Sequence, residues 1–385
     1  MHYFIFPDID TTLYQASSSK NTGLDEILEI QKNMKSDGTN IKVSRILMKF
    51  DLSYISQSIV RGQIVNPKFY LNMYDANPTD LSYSQSLWAW PVSQSWVEGE
   101  GFDMDNPTTT QGASWAYKTG AEEEDFWNPA SSSFTNEQGG TWHDEVYASQ
   151  SFFWSTGDMR MDVTPIVNKW LDETYTNEGF IVRRSGSIKV TDNGVTVKSG
   201  SGEEGNSDHL GNFKFFSRQT NTIYPPKLEV EWFDTKWSTG SLSALSSTDI
   251  EDLQFYMKSL RPEYKEKSRV RFRVVGRERY PTKSYSNTSS EFLTVKYLPS
   301  GSIDRIGGDG AYYSVIDDQT GDVIIPFGTG SLISCDSTGN YFNLWLDGLQ
   351  AERYYKFEFK VVSGSNTDEE TVQYFDDDFS FKVVR

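Results

Sequence analysis

Alternation of apolar and polar positions dominates this chain. In YYKFEFKVV (354–362), Tyr355, Phe357, Phe359 and Val361 fall on one side and Lys356, Glu358 and Lys360 on the other. That is the period of a half-buried strand. RVRFRVV (269–275) and FSFKVV (379–384) repeat it, and ILMKFDLS (46–53), KFYLNMYDA (68–76) and KLEVEWF (227–233) are shorter alternating or aromatic runs. SVIDDQTGDVIIPF (314–327) predicts a hairpin closed near Gln319–Gly321. One stretch breaks the rule. In MDVTPIVNKWLDETYTNEGF (161–180), Val163, Ile166, Val167, Trp170 and Leu171 follow three-and-four spacing and share a helix face. Thr164 is expected as the N-cap with Pro165 at the first helical position, and Asn177 and Gly179 offer stops. A helix of about three turns is too short to stand alone in water, so it must pack on a sheet.

The pattern therefore predicts an all-β protein with one packed helix. At 385 residues the chain has room for two or three domains. Composition shifts at DTKWSTGSLSALSSTDI (234–250), a Ser/Thr-rich stretch expected as a linker between a first unit, 1–233, and a second, 251–385. The second resembles an immunoglobulin or fibronectin-like β-sandwich in its alternation alone. The loop from 98 to 140 is long enough to suggest function, and its EEED (122–125) reads as a solvated acidic turn.

Charge and cysteine usage narrow the classes. Formal charge is −18, which repels phosphate backbones and argues against a nucleic-acid partner. A single cysteine, Cys335, rules out an intrachain disulfide, and three histidines show no zinc spacing. MHYFIFPDIDTT lacks the basic start and long apolar core of a signal peptide, and no run approaches a membrane span. The expectation is synthesis and retention in a cytoplasm.

The first unit carries a series of phrases in order. These are DTTLYQASSSKNTG (10–23), LEIQ (28–31), SRILMKFDLSYI (44–55), SWVEGEG (95–101), GASWA (112–116), MDVTPIVNKW with NEGFIV, FFSRQ (215–219) and PPKLEVEW (225–232). Together they resemble the DNRLRE-domain family of carbohydrate-binding-module-like β-sandwiches, over residues 3–233. The resemblance implies a jelly-roll-like sandwich in which the helix is scaffold. Gln219 departs from it, standing where an acidic residue is common. RPEYKEKSRVRFRV, RERYPTKSY and GNYFNLWLDGLQAERYYKF in the second region are more loosely similar to β modules of tailed-phage neck and tail proteins.

Candidate chemistry is sparse. Paired carboxylates abound among 54 acids, but no spacing demands a glycosidase, and no G-x-S-x-G or phosphate cradle is present. Asp8 and Asp10 offer hard oxygen ligands for a structural calcium, with a solvated turn as the competing reading; no other cofactor is expected. Trp88, Trp90, Trp127 and Trp142, in or beside the long loop, are the candidates for a ligand or partner surface, with burial in the core as the competing reading. The expected function is a non-enzymatic virion structural protein of a tailed bacteriophage, made in the host cytoplasm. Its partners would be other virion proteins and copies of itself. The alternative is a carbohydrate-binding module of a secreted or surface protein, bound to surface glycans.

Overall fold

The computed structural model describes residues 1–34, 41–81, 83–120, 125–127, 139–186, 188–192, 195–199, 202–205, 208, 210–245, 250, 253–280, 295–301, 308–364 and 370–385. The chain is all-β and forms two compact units. One comprises Ile5–Arg61 and Lys68–Val230; the other comprises Glu231–Arg385 with Met1–Phe4 and Gly62–Pro67. Within 234–250, Trp237 bridges Cys335 and Ala244 bridges Tyr297, so this Ser/Thr-rich stretch is paired along the second unit.

In the first unit the larger sheet runs Gly211–Phe216, Ile27–Met34, Ile41–Lys49, Phe180–Arg184, Gln85–Pro91, Ala148–Phe152, with Ile9–Tyr14 also paired to Ile41–Lys49. Lys227–Glu231, Lys68–Met73 and Met159–Asp162 are neighbours in a second sheet. Alternate residues of these strands, such as Phe69, Leu71 and Met73, are wholly buried, as the period-two pattern requires.

The helix forms over Thr164–Leu171 and buries Ile166, Val167 and Trp170. Its cap differs from expectation. Asp162 Oδ1, not the Thr164 hydroxyl, accepts the Thr164 N–H at 3.0 Å, while the Thr164 hydroxyl accepts the Phe69 N–H at 2.9 Å and ties the helix to its sheet. Trp170 lies 4.7 Å from the Phe180 ring, and its indole nitrogen has no hydrogen-bond partner. Trp170→Ala is therefore expected to cost about 3–5 kcal/mol as a large-to-small core change, whereas Trp170→Phe costs far less. Urea unfolding of both variants checks this; a loss under about 1 kcal/mol for the alanine variant would show that the face is not packed.

A second eight-residue helix, Ser53–Val60, corrects the expectation of one packed helix, as does a short turn of helix at Gly202–Gly205. Its apolar stripe is too thin to read, because only Ile55 and Ser58 are buried. Asp51 starts it: Oδ1 accepts the Ser53 N–H and Oδ2 the Ser53 hydroxyl, each at 2.9 Å. Gly62, at φ +68°, follows its last turn in the left-handed conformation that glycine tolerates.

In the second unit one sheet runs Leu253–Lys258, Arg269–Glu278, Gly339–Trp345, Ser334–Asp336. The other runs Glu263–Lys265, Ser380–Val384, Arg353–Ser363, Gly310–Asp317, Val323–Ile325, with Thr371–Phe375 paired to Arg353–Ser363. Their inner faces meet through aromatic rings. Phe272 and Phe342 of the first sheet touch Phe357 of the second at 4.9 and 5.3 Å, and Phe357 stacks on Phe381 at 4.8 Å. Tyr355, Phe357, Phe359 and Val361 all face this core. The hairpin over 314–327 forms, with Asp317 Oδ1 accepting the N–H groups of Gln319 and Thr320 and Gly321 at φ +78°.

Candidate functional site

The residues that carry the sequence resemblance converge inside the first unit, and they are occupied in holding it together. Asn21 is completely buried. Its amide nitrogen donates to the carbonyls of Glu98 (2.6 Å) and Ala113 (2.8 Å), and its Oδ1 accepts from the N–H groups of Gly101 (2.9 Å) and Gly23 (3.2 Å). One side chain thereby pins three loops. The backbones approach so closely that a Cβ at Gly99 would run into the Gln111 carbonyl, and one at Gly112 into Gly99.

Glu98 lies beside this pin and binds Arg218, whose Nη1 reaches both carboxylate oxygens at 2.9 and 2.8 Å. Gln219 Nε2 adds a long contact to Glu98 Oε1 at 3.4 Å. An amide is suited to this position, since an acid there would face Glu98 across the same gap. Asp10 completes the group. It is buried, its N–H donates to Glu98 Oε1 at 3.1 Å, and its Oδ2 accepts the Arg218 N–H at 2.7 Å.

Asp8 and Asp10, the expected calcium ligands, do not share one environment. Asp8 precedes the strand and is exposed while Asp10 points inward. The Arg218 guanidinium already supplies the positive charge beside Glu98, and among the described residues no three metal-ligating side chains cluster. The Oδ1 of Asp10 is buried without a hydrogen-bond partner. Burial pushes the Asp10 carboxyl up to about 7; the Arg218 N–H opposes the rise and the charge of Glu98 adds to it.

That shift sets a pH dependence. The folded protein holds the Asp10 proton at pH values where the unfolded chain has released it, so stability falls as pH rises from the ordinary carboxylate range towards 7, then levels off. The effect is on the order of 4 kcal/mol across that window. Asp10→Asn removes the titration. Between pH 5 and 8 the wild type is expected to lose several degrees of melting temperature relative to the variant. Parallel curves would show that Asp10 does not titrate in that window.

The third cluster surrounds Arg45. Its guanidinium lies 4.6 Å from the Trp115 ring and 5.2 Å from the Trp142 ring. Nε and Nη2 reach Glu204 Oε1 and Oε2 at 2.8 and 3.0 Å, and Nη1 donates to the Gly139 carbonyl at 2.7 Å. Arg183 pairs with the same Glu204 and covers Trp142 at 4.8 Å. Burial works against a charge on Glu204, but Arg183 and Arg45 together hold its carboxyl below the usual range.

These contacts correct the expected tryptophan surface. Trp90, Trp127 and Trp142 are buried in one cluster with Trp96 and Trp115, around Leu13, Leu47 and Ile181. The Trp127 indole donates to the Ser114 carbonyl at 2.9 Å. Only Trp88 is half-buried, stacked on Tyr147 at 4.7 Å. The acidic stretch 122–124 and His209 lie outside the described residues. The tryptophan that faces solvent is Trp154, 86% exposed, next to Phe153 at 62%. Trp154 holds φ +68°, an unusual conformation for a bulky residue, while its carbonyl accepts the Leu81 N–H at 2.7 Å. Its signal in the sequence is SFFWS (151–155), where three aromatics in succession cannot all face one core.

The class so defined is an all-β protein of two compact units, with charged clusters spent on loop closure and an aromatic projection on the first unit. No family model matches the chain, and no curated protein matches it. Among solved structures, a DUF4785 family protein from Legionella pneumophila aligns over 97% of this chain and 64% of its own, at 8% identity and a TM-score of 0.18. The chain thus spans less than two thirds of that protein's length, and a superposition this loose carries no argument about function. Among the described residues no helix is long and apolar enough to cross a membrane.

Proposed function

We propose that this chain is a non-enzymatic structural protein of a tailed-phage virion, made in the host cytoplasm and built into the particle through contacts with other virion proteins and its own copies. In this reading residues 3–233 are a DNRLRE-like sandwich used as an assembly module, and the second unit is a further contact module. The observation that carries it is the projecting Phe153–Trp154 pair. Large aromatic side chains held out in solvent by a strained backbone are what anchors of protein interfaces look like before they are covered. The arginine-held carboxylates fit the same reading, because Glu98 and Glu204 are each engaged in structural ion pairs. Mass spectrometry of purified particles tests the proposal directly. The subunit should be found in stoichiometric amount, and Trp154→Ala should fold normally yet be depleted from particles. Particles that lack the subunit would overturn it.

Trp154 also keeps the carbohydrate-binding reading in view, since sugar rings stack on exposed indoles. A glycan array separates the two. Strong binding to one polysaccharide, lost in Trp154→Ala while the protein stays folded, would favour the sugar module over the structural one. Trp127→Ala is unsuited to this test, because Trp127 is core.

A further inference from the structure

The second unit carries a strongly basic groove on a strongly acidic chain. It measures about 620 Å³ and is lined by Lys258, Arg261, Lys265, Arg269, Arg271 and Arg273, with Glu263 as its one carboxylate. Its net +5 lies within a formal total of −18, which leaves −23 on the rest of the chain. Arg269, Arg271 and Arg273 alternate along one strand, opposite Trp345, Asn343 and Tyr341 of the next. Val270, Phe272 and Val274 of the same strand turn inward to the core. The arginines therefore stand on the outer face of the sheet, about 7 Å apart along the strand.

The neighbouring rings hold these cations in place. Arg269 lies 5.2 Å from the Trp345 ring and Arg271 4.3 Å from the Tyr341 ring. Arg273 is satisfied by a two-pronged contact with Asp336 at 3.0 and 2.8 Å. Lys258, Arg261, Lys265 and Arg269 have no carboxylate partner among the described residues. Lys258 stands directly opposite Arg273 across the strand pair, a like-charge juxtaposition that favours a counter-charge from outside. Arranging so many cations on one surface, with several unpaired, fits an anionic partner. The rings are already covered by guanidinium groups, which leaves no open platform on which bases could stack and disfavours single-stranded nucleic acid. Arginine, tyrosine and tryptophan gathered at one place are instead the usual make-up of a protein-interface hot spot.

We propose that this groove receives the acidic turn Asp376–Asp378 of a second copy of this chain, in a head-to-tail contact. Asp376, Asp377 and Asp378 are three successive exposed carboxylates with no ion-pair partner among the described residues. Tyr374, 62% exposed, stands beside them as an aromatic flank. The turn is not part of the lining of the groove in its own copy. Because groove and turn are different surfaces, the contact is heterologous and propagates into a ring or an open chain of subunits. This inference rests on the assembly reading and names the surface through which copies meet.

Sedimentation of the purified full chain tests it, read at about 50 mM and about 500 mM salt, where screening of such pairs differs several-fold. The wild type is expected to self-associate at low salt and fall apart at high salt. Lys265→Glu/Arg269→Glu changes two exposed cations with no carboxylate partner, so the fold is kept, and association is expected to weaken about tenfold or more. Asp376→Lys/Asp377→Lys should weaken it similarly. A mixture of the two variants should pair one to one, since the intact groove of one then meets the intact turn of the other. A wild type that is monomeric at low salt, or variants whose mixture stays apart, would overturn the proposal. Tight binding of heparin by a monomeric wild type, lost in the Lys265→Glu/Arg269→Glu variant, would assign the groove to a polyanion instead. The outcomes are distinguishable from those for the assembly reading. A monomer found in particles removes only this contact, and a self-associating chain absent from particles removes only the virion role.

Discussion

Asn21→Leu is expected to destabilise the first unit by about 4 kcal/mol or more, an exceptional loss for one side chain. Leucine fills a similar volume but can neither donate nor accept. The carbonyls of Glu98 and Ala113 and the N–H groups of Gly101 and Gly23 would all lose a partner inside the protein. Each buried polar group left unpaired costs about 1–3 kcal/mol, and relaxation of the loops recovers part of the sum. Three loops lose their common tether at once, so the damage extends beyond the side chain to the approach of Gly99 and Gly112. Tryptophan fluorescence during urea unfolding reports it, since Trp88 to Trp170, eight of the eleven tryptophans, lie in this unit. A loss below about 1 kcal/mol would mean that water takes over the bonds and the pin is not needed.

Arg45→Met is expected to cost about 3–5 kcal/mol, the range seen when one partner of a buried ion pair is removed. Methionine retains apolar contact with Trp115 and Trp142. It leaves the Gly139 carbonyl without its Nη1 donor and leaves Glu204 with one arginine instead of two. Arg45→Lys is not expected to rescue the loss. A single ammonium cannot reach both oxygens of Glu204 and the Gly139 carbonyl while lying flat between two indoles. Glu204→Gln should also be costly, because Arg45 and Arg183 would then face each other without a carboxylate between them. The double variant Arg45→Met/Glu204→Gln is expected to lose less than the sum of the singles by roughly 1–3 kcal/mol, the mark of direct coupling. Strict additivity would show that Arg45 and Glu204 act independently.

Both clusters contain residues visible in the sequence for other reasons. Arg45 is the second residue of the strand phrase SRILMKFDLSYI, Asn21 sits in the KNTG turn, and Glu98 stands in SWVEGEG. Nothing local says that Arg45 meets Glu204, 159 residues away, or that Asn21 meets Ala113, 92 residues away. Glu204 itself lies in GEEG, a stretch with no pattern at all. The helix Ser53–Val60 escaped for a similar reason. It buries two residues and is started by the Asp51 side chain, so neither a wide apolar stripe nor an N-cap adjoining one announces it.

Period-two alternation was enough to show that the chain is β and which faces turn inward, because burial of one sheet face constrains every second residue and leaves its mark within a few positions. Phe357, Phe359 and Val361 are wholly buried, as that mark requires. The Thr164–Leu171 helix was equally readable, because three-and-four spacing is a local property of the same kind. The direction taken by a loop tryptophan has no such local record. Trp90, Trp127 and Trp142 look as exposable in the sequence as Trp154 does. Three of them are buried and one is 86% exposed because chain closure brings strands from distant positions around Arg45 and leaves the 153–154 turn outside. The same closure separates Asp8 from Asp10. Two carboxylates with strand spacing share a face only where both lie in the strand, and the strand begins at Ile9.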